Sequence, residues 1–383
     1  MTDSATANLT FSYDCVRIME ILGERNNVML SGPPATGKSR LLAELRHAFC
    51  GEGSGGNGSS YQPDEDILLP SVGEVPDWLP SPDRTNRRVF STAFDQSTHQ
   101  RDVLRGLVPR IVQGGEPLGF TVSRGILYRA AEHALKSDGA SLLIIDEINR
   151  GPAVAVFGAS IVALESDKRL GADGLPRKST QTFELLDDDG QMVDYALPQQ
   201  LYIVGAMNQA DASVAPLDVA FQRRFVPYQL YPDETVLKDH FELVGSPVAQ
   251  SDGNLPVQPT DHRDVYAALV RAWGKVNERL TLGRGAAFQM GHGALMHAAA
   301  PAETGMALRY AADCWRLLRA HIDEVFFGDL QGVAETISAD APGSPFSLTS
   351  VTFAEQPVLQ LSPAGELRPD QVYPALKAIA ESP

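Results

Sequence analysis

Cysteine is scarce in this sequence, and its spacing matches no known framework. The 383 residues include three cysteines, Cys15, Cys50 and Cys314. They form neither a paired disulfide pattern nor a ligand spacing typical of a metal site. We therefore exclude a small disulfide-stapled fold and a cysteine-based metal centre. A reducing compartment is the simplest interpretation.

Positive charge and long apolar runs are also lacking. Lysine and arginine number 32 against 48 acidic residues, which gives a formal net charge of -16. A protein whose whole surface binds nucleic acid needs an excess of positive charge. The excess of acidic residues therefore argues against nucleic-acid binding over the whole surface, without excluding a local basic patch. No apolar stretch is long enough to cross a bilayer, and residues 1–10 lack the pattern of a signal peptide. We expect a cytoplasmic protein without a membrane anchor.

The order of predicted elements indicates an α/β fold. Apolar strands at 27–30, 88–94, 141–145 and 201–206 alternate with helices predicted at 11–24, 39–49, 99–113, 124–136 and 153–166. Segments 183–186 and 192–196 flank Asp187–Gly190 and predict a hairpin. Strands that alternate with helices favour a parallel sheet covered by helices on both faces.

Three regions follow from this pattern. Residues 1–230 form the predicted sheet domain, with a flexible, glycine- and proline-rich insertion at 51–82. Residues 231–330 predict a small helical domain, with helices near 232–243, 261–280, 290–299 and 304–327. Residues 331–383 form a C-terminal extension for which the sequence predicts no particular fold.

A phosphate-binding motif directly follows the first strand. It reads Gly32-Pro33-Pro34-Ala35-Thr36-Gly37-Lys38-Ser39 and fits the pattern G-x-x-x-x-G-K-[ST]. Its glycines let backbone amides turn toward phosphate, and the next helix adds its positive N-terminal end. Lys38 is the predicted contact to the outer phosphates, and Ser39 the predicted Mg²⁺ ligand. The structural alternative is a glycine turn without function.

A second motif ends the strand at 141–145. The apolar run leads into Asp146 and Glu147, which places two carboxylates at the edge of the sheet. Asp146 is the predicted Mg²⁺ ligand, through water, and Glu147 is the predicted base that orients the attacking water. A solvated acidic pair that merely ends a strand is the alternative, and the P-loop in the same chain argues against it.

Two further sites are candidates for catalysis. Asn208 ends the strand Leu201–Met207 and is predicted to reach the outer phosphate or the attacking water, unless it only caps the strand. Asn208 and Asp211 fit the guanine-reading pattern N-K-x-D except at Gln209, so we interpret the segment as a phosphate sensor. Arg223 and Arg224 follow a short predicted helix at 215–222, and arginine suits the charge of a transferring phosphate. A surface ion pair is the alternative there.

Taken in order, these motifs resemble the AAA+ proteins. Asp146-Glu147-Ile148-Asn149-Arg150-Gly151 is similar to the D-E-I-N-R segment of the MoxR and McrB branches. The segments at 156–158, 164–169 and 198–211 resemble McrB, the nucleotide-driven motor of modification-dependent restriction, and Gln289–Gly293 is similar to a glycine–histidine segment of its lid. The resemblance covers about residues 11–330.

The sequence also departs from McrB. Ala212 and Ser213 stand where the family usually has Arg and Ser, which puts partner-stimulated hydrolysis in doubt. The P-loop begins at Gly32, so we expect the DNA-reading domain of that family to be absent, and the insertion at 51–82 is not a family feature. Arg284 and His292 are both candidates for the nucleotide sensor of the lid.

The resemblance implies a nucleoside triphosphatase with Mg²⁺ as cofactor and ATP or GTP as substrate. It implies a homo-oligomeric ring, a hexamer, that works with a separately encoded effector, a McrC-like nuclease, in defence against foreign DNA. DNA contact by this chain is expected to be indirect or weak. The alternative is a MoxR-like chaperone that remodels a protein partner. A binding scaffold with little turnover is a third reading, which Glu147 disfavours.

Overall fold

The computed structural model describes residues 11–50, 76–110, 119–210, 217–247, 254–363 and 366–382. Several sequence features lie outside these ranges: the glycine-rich stretch 51–60, the rest of the predicted insertion up to residue 75, and Asp211–Ser213. The chain divides into two compact units. One contains residues up to Ser31 together with Lys38–Gln229, and the other contains Gly32–Gly37 together with Leu230–Pro383.

The strands of the first unit are β1 (Asn27–Gly32), β2 (Asn86–Ala93), β3 (Arg105–Arg110), β4 (Gly119–Arg124), β5 (Gly139–Asp146), β6 (Phe183–Leu186), β7 (Met192–Tyr195), β8 (Leu201–Asn208) and β9 (Val226–Gln229). The unit is built on a five-stranded sheet with the strand order β2-β5-β8-β1-β9. Its helices are α1 (Tyr13–Arg25), α2 (Lys38–Cys50), α3 (Gln100–Val103), α4 (Ile126–Ala134), α5 (Ala153–Phe157) and α6 (Val219–Gln222). Strands β2 and β5, β5 and β8, and β1 and β9 pair in parallel. The predicted α/β fold with a parallel sheet is confirmed.

The central strands form where the sequence is apolar on both faces. Residues 139–145 of β5 and 201–206 of β8 are buried throughout, as expected for strands covered by helices on both sides of a sheet. Helix α1 begins at Ser12, whose side chain accepts a hydrogen bond from the N–H of Cys15. The continuous burial of β5 and β8 explains why their apolar runs predicted both strands correctly.

Two predicted helices of this unit are wrong in part. The helix predicted at 99–113 is only the one-turn helix α3, followed by strand β3, which forms an antiparallel hairpin with β4. The helix predicted at 153–166 ends at Phe157 and continues as a 3-10 segment, Gly158–Ala163. Gly158 adopts a positive φ of 50°, which interrupts the α-helix. The predicted hairpin β6–β7 is confirmed.

The second unit is mainly helical. It contains α7 (Glu234–His240), α8 (His262–Arg284), α9 (Thr304–Val325), α10 (Leu330–Thr336) and α11 (Pro369–Glu381), with a hairpin of β10 (Ser347–Phe353) and β11 (Gln356–Ser362). The helix predicted at 290–299 is wrong, since only a 3-10 turn, His292–Leu295, forms there. The C-terminal extension joins the core of this unit, because Val372, Leu376 and Ile379 of α11 are fully buried in it. Among the described residues, no helix combines the length and hydropathy that a membrane span requires.

Candidate functional site

The ends of β5 and β8 bring three predicted site residues together. The two strands are parallel neighbours, and Ile145 pairs with Gly205, so Asp146 and Asn208 leave the sheet at the same edge. A Cβ on Gly205 would lie 3.0 Å from Cδ1 of Ile148 and 3.2 Å from Sδ of Met29. Glycine therefore allows the close packing that holds these strand ends together.

Glu147 lies in a backbone conformation that few residues adopt. Its φ is 50°, in the left-handed region, which costs a non-glycine residue roughly 1–2 kcal/mol. The N–H of Glu147 donates to Oδ1 of Asp146 (3.0 Å), and the N–H of Ile148 donates to the carbonyl of Ala206 (3.0 Å). These bonds hold the turn at the end of β5, at which Glu147 keeps its strained conformation.

Two side chains hold the Glu147 carboxylate. Nδ2 of Asn208 donates to its Oε1 at 2.9 Å, and Nε of Arg150 lies 3.4 Å from its Oε2. Asn149 ties the same strand ends together, since its Nδ2 donates to the carbonyl of Asn208 at 3.1 Å. Arg150 belongs to the D-E-I-N-R segment, but its contact with Glu147 was not predicted. Its spacing of three residues after Glu147 was the available signal.

Lys38 lies in the field of both carboxylates. Burial lowers the pKa of Lys38 from its ordinary value, whereas the negative charges of Glu147 and Asp146 act to raise it. The three residues thus form one electrostatic group at the first turn of α2 and the end of β5. The arrangement suits an anion, because a partly desolvated ammonium gains most from a phosphate partner.

The donor set fits Mg²⁺ better than a transition metal. Asp146 supplies a carboxylate and Ser39 a hydroxyl, both of which are hard oxygen ligands of the kind that Mg²⁺ prefers. Among the described residues, no group of three or more His, Cys, Asp or Glu side chains is arranged to hold a metal. Mg²⁺ in phosphate sites usually takes one or two protein ligands together with phosphate oxygens, so a sparse donor set agrees with that chemistry.

The P-loop turn, Gly32–Gly37, connects β1 to α2. Ala35 has a φ of 60° and Gly37 a φ of 88°, so two residues of the turn are left-handed. Oγ1 of Thr36 donates to the carbonyl of Pro33 at 2.9 Å and closes the turn. A strand, a glycine turn and a helix that begins at Lys38 are the context that the P-loop motif requires.

The structure distinguishes the two arginines that follow α6. Arg223 is exposed, whereas the Arg224 side chain is only 9% exposed. Nε of Arg224 lies 3.4 Å from Oε1 of Glu165, its Nη1 donates to the carbonyl of Ala220, and its own carbonyl accepts a hydrogen bond from Asn27. Arg224 is therefore anchored within the unit, and Arg223 is the arginine available to another molecule.

The two candidate lid residues also lie in different surroundings. Arg284 lies at the end of α8, where its Nη2 is 3.2 Å from Oδ2 of Asp329 and its guanidinium stacks over Phe326. His292 lies beside the P-loop, with Nε2 4.0 Å from the position that a Cβ on Gly37 would occupy. Of the two, His292 is the residue that approaches the phosphate-binding turn.

A parallel sheet that carries a P-loop, an Asp-Glu pair and an asparagine at its strand ends, followed by a helical unit, defines the AAA+ class. Residues 82–225 match the family model of the AAA domain, dynein-related subfamily. The match includes Asp146, Glu147, Asn208, Arg223 and Arg224, and it begins after the P-loop.

Curated relatives come from restriction systems. The chain is 29% identical to the type IV methyl-directed restriction enzyme EcoKMcrB subunit of Escherichia coli (strain K12) over 209 residues. This alignment covers 54% of this chain and 36% of that subunit. It is 37% identical to the type II restriction enzyme BsuMI component YdiS of Bacillus subtilis (strain 168) over 87 residues. This second alignment covers 22% of this chain and 25% of that component. The matched segments thus span about a third and a quarter of these relatives.

A solved structure of a predicted ATPase from Cytophaga hutchinsonii is also similar, with a TM-score of 0.31 and 14% identity over 80% of this chain and 75% of that one. The family match over residues 82–225 and the two restriction relatives support a likeness of this part of the chain to dynein-related, McrB-like AAA+ proteins.

Proposed function

We propose that this chain is a nucleoside triphosphatase motor of a restriction system, which hydrolyses ATP or GTP to the diphosphate and phosphate. The observation that carries the proposal is the contact between Glu147 and Asn208 beside Lys38. A carboxylate held at a strand end near a half-buried ammonium is suited to accept a proton from water near a phosphate.

Each residue has a role in the proposed reaction. Lys38 binds the outer phosphates, and Asp146 and Ser39 hold Mg²⁺, whose charge offsets that of the phosphate oxygens. Glu147 orients the attacking water and accepts its proton. Asn208 positions the Glu147 carboxylate through its 2.9 Å hydrogen bond. Arg150, whose Nε lies 3.4 Å from the other carboxylate oxygen, holds the Glu147 side chain from its second side.

We further propose that the chain assembles head-to-tail into a ring, a hexamer, in which Arg223 reaches the nucleotide of the next subunit. The exposure of Arg223 supports this proposal, because an arginine that acts on a neighbour must be available to it. A head-to-tail contact closes into a ring when its rotation permits. Nucleotide bound at the contact would favour the assembled state by mass action.

The proposed partner is a separately encoded nuclease of the McrC type, and the proposed role is defence against foreign DNA. The two restriction relatives support this reading over a MoxR-like chaperone, because both are named as parts of restriction enzymes. The net charge of -16 supports a division of labour in which the chain itself contacts DNA weakly or indirectly.

Light scattering tests the assembly part of the proposal. Wild-type protein should have the mass of a monomer without nucleotide and the mass of a ring with a non-hydrolysable triphosphate analogue. Lys38→Ala protein should keep the mass of a monomer under both conditions. A wild-type protein that remains monomeric with both ATP and GTP analogues would contradict the ring.

The effector part needs the product of the neighbouring reading frame. If that product is a nuclease, the mixture should cleave DNA only with hydrolysable nucleotide and only with wild-type Lys38. If it is a metal-binding adhesion protein that associates with this chain, the chaperone alternative replaces the restriction role.

A further inference from the structure

Within the second unit, a short glycine segment contacts the P-loop turn Gly32–Gly37. The N–H of Gly291 donates to the carbonyl of Pro34 at 2.9 Å, and the N–H of Gly293 donates to the carbonyl of Ala35 at 2.9 Å. These bonds join positions more than 250 residues apart in the sequence. They explain why the turn Gly32–Gly37 groups with Leu230–Pro383 rather than with the sheet.

Gly291 is required by space rather than by backbone conformation. Its φ is -67°, which any residue can adopt. A Cβ at this position, however, would lie 2.1 Å from the carbonyl carbon of Ala35, 2.2 Å from its oxygen and 2.4 Å from the N of Thr36. All three are backbone atoms that cannot swing aside as a flexible side chain would. The segment therefore lies directly against the Ala35–Thr36 peptide group.

Helix α8 fixes the segment from one side. Oδ1 of Asn277 accepts a hydrogen bond from the N–H of Met290 at 2.7 Å, and its Nδ2 donates to the Met290 carbonyl at 2.9 Å. Nε1 of Trp273 donates to the same carbonyl at 3.0 Å. Asn277 and Met290 are both buried. Buried, fully paired amide groups of this kind hold one geometry, because any alternative leaves polar atoms unsatisfied.

The start of α7 fixes the segment from another side. Nδ1 of His292 accepts a hydrogen bond of 3.2 Å from the N–H of Asp233, the N-cap residue of α7. An accepting Nδ1 carries no proton, so a neutral His292 has its proton on Nε2, the nitrogen near Gly37. Residues 290–293 are thus tied to α7, α8 and the P-loop at once.

The bonds to Pro34 and Ala35 determine where two amide groups of the P-loop point. In a trans peptide the C=O of one residue and the N–H of the next are directed to opposite sides of the chain. The Pro34 carbonyl points toward Gly291, so the N–H of Ala35 points away from Gly291. The Ala35 carbonyl points toward Gly293, so the N–H of Thr36 points away from Gly293. P-loops bind phosphate through such amides. The left-handed φ of Ala35, 60°, agrees with a turn held by outside contacts.

We propose that the Met290–Gly293 segment is a positioning element of the P-loop, through which helix α8 sets the affinity of this chain for nucleotide. The inference rests on the proposed function, since it concerns the same phosphate site. Gly291 and Asn277 act through the loop backbone.

Three variants of the full chain test the inference. Gly291→Ala forces a Cβ against the Ala35–Thr36 peptide. Asn277→Asp has nearly the same shape but replaces the Nδ2 donor by a carboxylate oxygen that faces the Met290 carbonyl. Gly274→Ala is the matched control, because it lies on the same helix and a Cβ there would meet nothing within 4 Å. Circular dichroism checks that each variant is folded and gives its thermal midpoint.

The readout is the dissociation constant of ADP or GDP, whichever binds the wild type more tightly, measured by calorimetry on folded protein. We expect Gly291→Ala to bind at least about tenfold more weakly, Asn277→Asp to be weakened in the same direction, and Gly274→Ala to match the wild type. A purely structural role would lower the thermal midpoint and leave the dissociation constant of the folded protein unchanged.

Several outcomes would overturn the inference. If wild-type protein binds nucleotide and folded Gly291→Ala binds it equally well, the inference alone is wrong. If Gly291→Ala does not fold, Asn277→Asp decides in the same way. If wild-type protein binds neither diphosphate, the proposed function is wrong and the inference is wrong with it.

Discussion

Nδ2 of Asn208 donates a hydrogen bond of 2.9 Å to Oε1 of Glu147, across the parallel pair of strands β5 and β8. The two residues are 61 positions apart, and only the sheet brings them together. The bond holds the proposed base in one orientation, while the amide of Asn208 carries no charge. A neutral donor at this place positions the carboxylate without neutralising it.

Replacement of Asn208 by Asp should therefore impair turnover more than binding. The new carboxylate would face Glu147, and two like charges at hydrogen-bond distance raise the pKa of the pair, so that one proton is shared between them. We expect the hydrolysis rate to fall by about a hundredfold, the usual scale for a positioned base. Phosphate release and calorimetry with the diphosphate measure the two effects separately. Wild-type turnover in Asn208→Asp would contradict the positioning role.

The two neighbouring arginines should give different phenotypes. Arg223→Ala removes an exposed side chain, so we expect intact folding and nucleotide binding but strongly reduced hydrolysis. Arg224→Ala breaks the contacts with Glu165 and Ala220 and should lower the free energy of unfolding by roughly 1–3 kcal/mol. Urea denaturation and phosphate release separate these effects.

A mixing experiment tests whether Arg223 acts on a neighbour. Glu147→Gln chains keep Arg223, and Arg223→Ala chains keep Glu147. Mixed rings would contain some sites with both groups intact, so part of the activity should return. If mixing restores nothing although both variants assemble, the shared site is wrong.

Arg169 should be essential for stability. It is fully buried and donates to the carbonyls of Leu164 and Leu201 and to Oδ1 of Asn27. Burial lowers its pKa to about 9, which is still above neutral pH, so the acceptors offset the cost of burying a charged guanidinium. Arg169→Met leaves these buried acceptors without their donor and should cost roughly 1–3 kcal/mol for each acceptor that stays unsatisfied.

Arg177→Met is the control for Arg169, because Arg177 is exposed in the same part of the chain. Its effect on the urea midpoint should be small. Equal midpoints for the two variants would show that the buried network contributes little to stability.

The cysteines should be unreactive in the folded protein. Burial raises the pKa of Cys15 and of Cys314 to about 12, and nearby carboxylates add to the effect. Above the ordinary thiol pKa of about 8.5 the unfolded chain releases its thiol protons while the folded chain keeps them, so an increase in pH within this window favours the unfolded state. The resistance to unfolding should therefore be highest below about pH 8.5 and decline as pH rises toward 12.

Reaction with a thiol reagent at pH 8 measures this directly. We expect negligible labelling of the native protein, since Cys50 is buried like Cys15 and Cys314. In denaturant, all three cysteines should be labelled. Rapid labelling of native protein at Cys15 or Cys314 would contradict the buried, protonated state.

The sequence predicted the catalytic strands well because they are buried on both faces. Leu142–Ile145 and Leu201–Ala206 are continuous apolar runs, and the polar residues that end them could only lie at the sheet edge. The helix predicted at 99–113 was wrong for residues 105–110, which pair with β4 and form a strand. The prediction followed from the spacing of Val103, Leu104, Leu107 and Val108, which is typical of one face of a helix. Tertiary pairing overrode local periodicity there.

Other features depend on contacts that local patterns do not contain. The sequence does not distinguish Arg223 from Arg224, whereas in the fold Arg224 contacts Glu165 and the carbonyl of Ala220. The steric need for glycine at position 291 arises from the backbone of Ala35, which is far away in the chain. Neither property follows from spacing or composition, because both require the fold itself.

Nucleotide hydrolysis by Glu147→Gln protein tests the central claim most directly. Wild-type, Glu147→Gln and Lys38→Ala proteins should be compared for diphosphate binding and for phosphate release from ATP and GTP. We predict that Glu147→Gln binds nucleotide as the wild type does but turns it over at least about a hundredfold more slowly, and that Lys38→Ala loses binding. Hydrolysis of either nucleotide by Glu147→Gln at the wild-type rate would contradict the account.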